Sequence, residues 1–367
     1  MPEKAGEEDA KDQLAGNSRK MKEIEDELAR TKYNKHTQAH IGRLKAKLAQ
    51  LKAARARGGG RKGYGYGLRK IGDATVILVG FPSVGKSTLI NRLTNADSKV
   101  GAYDFTTVTV IPGMLEYNGA KIQVLDIPGL ITEGAHGRGR GREIISVVRN
   151  TDLIVMVLDP RNPERQMEVI TNELKMSGMR LNQQPPDVKI TPKSHGGIHV
   201  RSSSPELDER TAKEILQEFK CLNADIVIGK SVTVDDFIDA FMKNRVYVKA
   251  IYALNKSDMG SGFSLEKDFI RISAADGTNI DRLKEMIWDR LGLMRVYLKR
   301  IGKGPDMREP MIIWKGATVT DVCRRIHGDL VRKLEYAKVW GSSVKFAGQR
   351  VGVDWRLFDG DVVELHM

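Results

Sequence analysis

Apolar residues recur along this chain with two different periods, and the change of period divides it. Met21, Ile24 and Leu28, then Ile41, Leu44, Leu48 and Leu51, fall at helical spacing. The polar stretch from Thr31 to His40 interrupts that stripe, so residues 18–57 are expected to form a helical hairpin (a helix-turn-helix) rather than one rod. The stripe is too short for a coiled-coil seam. Residues 1–17 are polar and acidic and read as a disordered tail. Residues 58–67 are Gly-rich and basic, with Tyr64 and Tyr66 interleaved, and read as a flexible linker. Such a linker can tether the hairpin, and its charge and rings can also touch RNA.

Beyond residue 73 the pattern becomes one of short apolar runs. Residues 74–79, 122–125, 153–158, 248–254 and 269–272 are β-rich and almost uninterrupted, as strands buried on both faces are. Helical patterns follow at 86–94 and 280–291. The alternation predicts an α/β fold with a doubly wound sheet and a ligand at the C-terminal ends of its strands. The gap from 159 to 248 is too long for a crossover helix. It holds a Pro- and Gly-bearing section (185–197), a strand-like run (198–201) and helix signals at 206–220 and 234–243. Residues 174–245 are therefore expected to be an inserted subdomain within a domain spanning 68–292. A small mixed unit over 293–367 follows, with strands at 311–314, 339–344 and 362–366 and a helix at 319–335.

Composition narrows the setting. The chain has 367 residues, 41% hydrophobic and 29% charged, without an apolar run long enough for a membrane span or an N-terminus like a signal peptide. Cys221 and Cys323 are isolated, which fits neither a disulfide framework nor a metal cluster and suits a reducing cytoplasm. The net charge of +13 is uneven: Arg19 to Lys62 carries 14 Lys/Arg against 4 Asp/Glu, and residues 293–367 carry 14 against 9. A basic block seeks a polyanion such as RNA; its plain alternative is a solvated helix face.

Four segments carry candidate chemistry. Gly80, Phe81, Pro82, Ser83, Val84, Gly85, Lys86 and Ser87, with Thr88 after them, match G-x-x-x-x-G-K-[ST] between a predicted strand and a predicted helix. Glycine lets backbone N–H groups close around phosphates, Lys86 would neutralise them, and Ser87 would offer a hydroxyl to Mg²⁺. Asp126, Ile127, Pro128 and Gly129 end the next buried strand, where the carboxylate would hold Mg²⁺ through water and the Gly129 N–H would meet a terminal phosphate. Residues 130–142 after them, with the run 133–142 almost without core formers, read as a switch segment. Phe105, Thr106 and Thr107 lie where a first switch belongs, and Thr107 is chosen as the second hydroxyl for Mg²⁺. Asn255, Lys256, Ser257 and Asp258 follow another strand; the Asp258 carboxylate can pair with N1–H and the amine of guanine, which adenine lacks. Ser273, Ala274 and Ala275 would support the base through a backbone N–H. Together they predict binding of GTP and GDP.

The group that activates water is not assigned. A glutamine often follows the D-x-x-G element, but here Leu130 stands there. Thr107 and Gly129 are the weak catalytic candidates; Arg138, Arg140, Arg142 and His136 read as exposed loop residues. Another residue, a monovalent cation, a partner or the substrate phosphate must place the water, and slow intrinsic turnover is expected.

With these residues in hand, the chain resembles the developmentally regulated GTP-binding (DRG) family of Obg-like GTPases over nearly its whole length. The marks are Gly72, Asp73, Ala74, Thr75 and Val76 before the phosphate loop, then Ala102, Tyr103, Asp104 and Phe105 to Thr107. Asp126 to Ile131 with the alternating Gly and Arg of 137–142, Asn244 to Tyr247, Tyr336 to Gly341, and Arg350 to Gly352 complete them. The resemblance implies a P-loop GTPase domain with an inserted α/β subdomain, an N-terminal helix-turn-helix and a C-terminal β-grasp-like TGS domain. It also implies Mg²⁺ on Ser87 and Thr107, association with RNA or ribosomes, a regulatory protein partner and stimulation by K⁺. Ser83 stands where cation-dependent relatives often carry asparagine, and the extended N-terminus and Gly-rich linker depart from the family pattern. A GTP-hydrolysing switch is the first reading; an RNA-binding assembly factor with structural nucleotide is the alternative. An ATPase is disfavoured by Asn255 to Asp258.

Overall fold

The computed structural model describes residues 3–32, 34, 37–57, 72–94, 111–126, 151–243, 245–259 and 269–367. Two compact units result, Met1–Gly65 with Gln184–Tyr247, and Tyr66–Gln183 with Val248–Met367. Elements are numbered along the chain.

In the first unit, α1 (Glu3–Arg30) and α2 (Gln38–Arg57) form a hairpin with Met21, Ile24 and Ile41 buried between them and their surroundings. The disordered tail expected over 1–17 is corrected from Glu3 onward: this Ala-, Glu- and Lys-rich stretch has Leu14 as its one large apolar residue but no shortage of helix formers, and α1 runs through it. Asn34 and Thr37 turn the chain, each side-chain oxygen accepting from the other's backbone N–H at 2.9 and 3.0 Å. A three-stranded sheet lies in the same unit, with β8 (Ala224–Ile228) between β6 (Val188–Pro192) and β7 (Ile198–Ser202). Helices α5 (Glu209–Glu218) and α6 (Val234–Met242) are capped by Asp208 and by a Thr233–Asp236 capping box.

Helix α2 belongs to that subdomain rather than standing apart. Ala46 is fully buried in one core with Ile215, Ile226 and Phe237. Gly42 lets the backbones approach, since a β-carbon there would lie 3.1 Å from Ile215 Cδ1. Lys45 reaches Asp235 at 2.7 Å and Arg43 reaches Glu214 at 3.4 Å, so part of the basic block faces acids of its own chain. The linker 58–67 lies outside the described residues.

The second unit is built on a sheet of order β10-β9-β4-β1-β3-β2, with β5 also beside β9. Its strands are β1 (Ala74–Val79), β2 (Ile111–Tyr117), β3 (Ala120–Asp126), β4 (Leu153–Leu158), β5 (Met179–Leu181), β9 (Val246–Leu254) and β10 (Phe269–Arg271). Strands β1 and β4 are buried at every position, as their continuous apolar runs require. All pair in parallel along that path except β2, which is antiparallel to β3. Helices α3 (Lys86–Leu93), α4 (Pro163–Met176) and α7 (Ile280–Leu291) accompany them. The insertion expected from 174 begins instead at Gln184: α4 runs through Leu174, and the three-residue β5, too short to register as a pattern, adds to the main sheet.

Strand β11 (Leu293–Leu298) follows α7 directly and opens a second sheet of order β12-β11-β15-β13-β14. Its other strands are β12 (Met311–Trp314), β13 (Tyr336–Trp340), β14 (Gln349–Val351) and β15 (Asp361–His366). Alternation along β11 and β12 serves two cores: Leu293 and Ile312 join the larger one, Met294, Val296 and Ile313 the smaller. The single helix expected over 319–335 is two, α8 (Val319–Ile326) and α9 (Leu330–Lys333), because His327 is extended and Gly328 follows it.

Candidate nucleotide site

The singled-out segments converge because the strand ends that carry them are neighbours. Leu78 pairs with Asp126 across β1 and β3, and Leu158 with Leu254 across β4 and β9. The loop after β1, Asp126, Asp159 and Asn255 therefore gather along one edge, where the strand order reverses about β1.

Gly85, at φ 96°, precedes the first residue of α3, and Ser83 also holds a left-handed φ of 62°. The Lys86 ammonium turns back over this loop and donates to the carbonyls of Gly80 at 2.9 Å and Phe81 at 3.0 Å. Burial pushes its pKa down, and the nearby Asp126 carboxylate opposes that. Asp126 is 3% exposed. Burial pushes its carboxyl up, against the pull of Lys86 and the Ser87 hydroxyl. Ser87 Oγ lies 3.4 Å from one Asp126 oxygen, and the other has no hydrogen-bond partner among the described residues. A buried, unpartnered carboxylate oxygen beside a hydroxyl is an all-oxygen donor set, which fits Mg²⁺ retaining several waters. Phe105, Thr106, Thr107, Ile127, Pro128, Gly129 and the switch segment lie outside the described residues.

Further along the same edge, one side chain ties the segments together. Asn255 Nδ2 donates to the Val84 carbonyl at 2.8 Å, while its Oδ1 accepts from the Ala274 N–H at 2.9 Å. Lys256, with φ 59°, donates to the Ser83 carbonyl at 3.1 Å and to Asp159 at 2.8 Å. Ser257 N–H bonds the Ile272 carbonyl at 3.0 Å, and the adjoining Asp258 is exposed. Ser273 and Ala274 are buried and Ala275 is exposed.

Three residues enter this site that sequence reasoning missed. Asp159, 3% exposed, takes Lys256 on one oxygen and a two-pronged bond from Arg161, which holds its carboxyl well below the usual range. Its signal was available: like Asp126, it directly follows a buried apolar run. Arg92, in the last turn of α3, bonds the carbonyls of Ala274 and Ala275, a contact 182 residues apart that no local pattern announces.

Comparison with known proteins gives the family. Residues 75–190 match the family described as 50S ribosome-binding GTPase, 195–293 the C-terminal region of that domain, and 294–367 the TGS domain. An uncharacterized GTP-binding protein of Methanocaldococcus jannaschii is 50% identical over 96% of this chain and 93% of its own. Developmentally-regulated GTP-binding protein 1 of Xenopus laevis is 44% identical over 96% and 99%. GTP-binding protein 1 of Schizosaccharomyces pombe is 46% identical over 94% and 98%. Among solved structures, the YchF GTPase of Schizosaccharomyces pombe matches at TM-score 0.45 and 15% identity, covering 81% of this chain and 99% of that one. No described helix is long and apolar enough to cross a membrane. The chain belongs to the developmentally-regulated GTP-binding protein family, with a P-loop GTPase domain and a C-terminal TGS domain.

Proposed function

We propose that this chain hydrolyses GTP to GDP and phosphate, slowly by itself, and serves as a switch read by RNA or the ribosome in the cytoplasm. Asn255 carries the nucleotide reading: by joining Val84 to Ala274 it sets the span between a phosphate subsite and a base subsite. Asp258 would accept two hydrogen bonds from guanine, and a base without that donor pair would leave a carboxylate unpaired. Lys256, anchored by Ser83 and Asp159, would lie along the base.

At the other end, backbone N–H groups of Phe81 to Thr88 would cradle the phosphates. Lys86 would exchange two carbonyl partners for phosphate oxygens, a better match for a half-buried ammonium. Mg²⁺ held by Ser87, Thr107 and, through water, Asp126 would neutralise charge on the transferred group. Ile127, Pro128 and Gly129 with Phe105 and Thr106 would close on the γ-phosphate, the Gly129 N–H donating to it. Water then attacks phosphorus, the bond to the β,γ-bridging oxygen breaks, and the proton leaves with phosphate. Leu130 cannot orient that water, so another residue, a partner, a monovalent cation such as K⁺ or the phosphate itself must help. The basic hairpin and the surplus of Lys/Arg over 293–367 support the RNA part, and a regulatory protein partner belongs to the same proposal.

Calorimetry of the full chain with magnesium tests the first half. GDP and GTP should bind and ATP should not; no heat from either guanine nucleotide would overturn it. Lys86→Ala should abolish binding, and Asp258→Asn should shift preference from guanine to xanthine. Steady-state hydrolysis with and without ribosomes, in sodium and then potassium, would locate the missing catalytic help. Equal RNA affinity with GDP, a non-hydrolysable GTP analogue and no nucleotide would favour the assembly-factor alternative.

A further inference from the structure

We propose that Arg92 is a positioning residue for guanine recognition: from the phosphate-loop helix it fixes the peptide whose N–H, that of Ala275, faces the 6-oxygen of the base. The inference rests on the guanine-nucleotide reading of this site.

The donors of the base loop are nearly all committed. Ser273 N–H bonds the Thr278 carbonyl at 3.1 Å, Ala274 N–H bonds Asn255 at 2.9 Å, and Gly277 N–H bonds the Ser273 carbonyl at 2.9 Å. Asp276 N–H approaches Ser273 Oγ at 3.4 Å. Ala275 is left as the one residue from 273 to 277 whose N–H has no partner among the described residues, and it is exposed where its neighbours Ser273 and Ala274 are buried. A donor without a described partner, one residue beyond the Ala274 that Asn255 holds, is what the carbonyl of a bound guanine requires.

Arg92 controls where that donor points. Its Nε donates to the Ala274 carbonyl at 3.1 Å and its terminal nitrogen to the Ala275 carbonyl at 2.5 Å. The Ala274 carbonyl and the Ala275 N–H share one planar trans peptide and point in opposite directions. Holding the carbonyl toward Arg92 therefore aims the N–H away from it. The second bond fixes the following peptide, so both planes flanking Ala275 are held by one rigid, planar fork. Arg92 sits six positions after Lys86 on α3, so phosphate contact and base contact become parts of one body. Asn255 holds the same loop from the other side, through Ala274 N–H.

The test uses the full chain, with Arg92→Met and Arg92→Lys, and two ligands: GDP and 2-aminopurine riboside diphosphate. The second keeps the phosphates and the 2-amino group but lacks the 6-oxygen and, with it, the N1–H that faces Asp258, a loss that the Arg92 variants share with wild type. For Arg92→Met, GDP affinity should fall about tenfold, the worth of one well-aligned hydrogen bond, while the analogue changes less than about twofold. Arg92→Lys, which keeps charge and helix propensity and can hold one carbonyl, should lose an intermediate amount and serves where the methionine variant does not fold. Equal losses for both ligands would make Arg92 a general stabiliser of the site and overturn the proposal, as would no loss for either. Wild-type protein that binds the analogue as tightly as GDP would overturn the guanine reading itself, and this proposal with it.

Discussion

Gly85 and the side-chain amide of Asn255 compete for one small volume: a β-carbon on Gly85 would overlap Asn255 Nδ2. The amide cannot retreat, because it is held between Val84 and Ala274. Gly85 also sits at φ 96°, where a side chain costs about 1–2 kcal/mol. Gly85→Ala is therefore expected to lower thermal stability by at least that much and to weaken GDP binding by more than about a hundredfold, ~2.7 kcal/mol. Calorimetry on variant protein that still unfolds cooperatively checks this; unchanged affinity would mean that the loop and Asn255 do not act together.

Asp159 supplies a pH signature. Arg161 chiefly, and Lys256 in addition, hold its carboxyl below the ordinary aspartate value of about 3.9, against the effect of burial. Between its folded and unfolded pKa values the unfolded chain binds the extra proton, so stability falls as pH falls through that window and is fully present above it. Asp159→Asn should be less stable than wild type near neutral pH, and the gap should narrow as pH drops from about 5 to about 3. Urea midpoints at stepped pH measure it. A gap independent of pH would assign the effect to packing rather than to the carboxylate.

What could be read from sequence was what is local. The buried runs of β1 and β4 and the helix after Gly85 follow from composition and spacing within ten residues. The place of Asn255 directly after a buried strand was legible too, since the apolar run before it ends at Leu254 as β9 does. What escaped was contact between distant segments: Arg92 with Ala274, Asp159 with Lys256, and α2 with the core around Ile215. Elements near the length limit also escaped, such as β5 at three residues. The break in the helix expected over 319–335 needed the extended backbone of His327, which the apolar pattern does not encode.

Gly42 tests the docking of the hairpin. A β-carbon there would already press Ile215 and Thr211, at 3.1 and 3.2 Å, from a buried position in α2. Gly42→Leu adds three further carbons beyond that one. It should destabilise the unit by about 1–3 kcal/mol, the usual cost of overpacking, despite the gain in helix propensity. Limited proteolysis should find the hairpin more readily cut, with GDP affinity unchanged. An unaltered cleavage pattern would mean that α2 is not seated on α5.

The docked hairpin also decides how the RNA reading must be tested. Removing residues 1–62 would strip Ala46 from a shared core, so weaker RNA binding could reflect unfolding. Lys20, Lys22 and Lys47 are exposed, whereas Lys45 and Arg43 already meet Asp235 and Glu214. Reversing the exposed three to Glu leaves the core intact. If they meet phosphates, RNA affinity should drop at low salt. The slope of log K against log salt should then shrink by about 0.7 for each phosphate of a single strand that is no longer neutralised. The same triple variant should bind GDP like wild type. An unchanged slope would make this face a solvated one and move any RNA binding elsewhere in the chain.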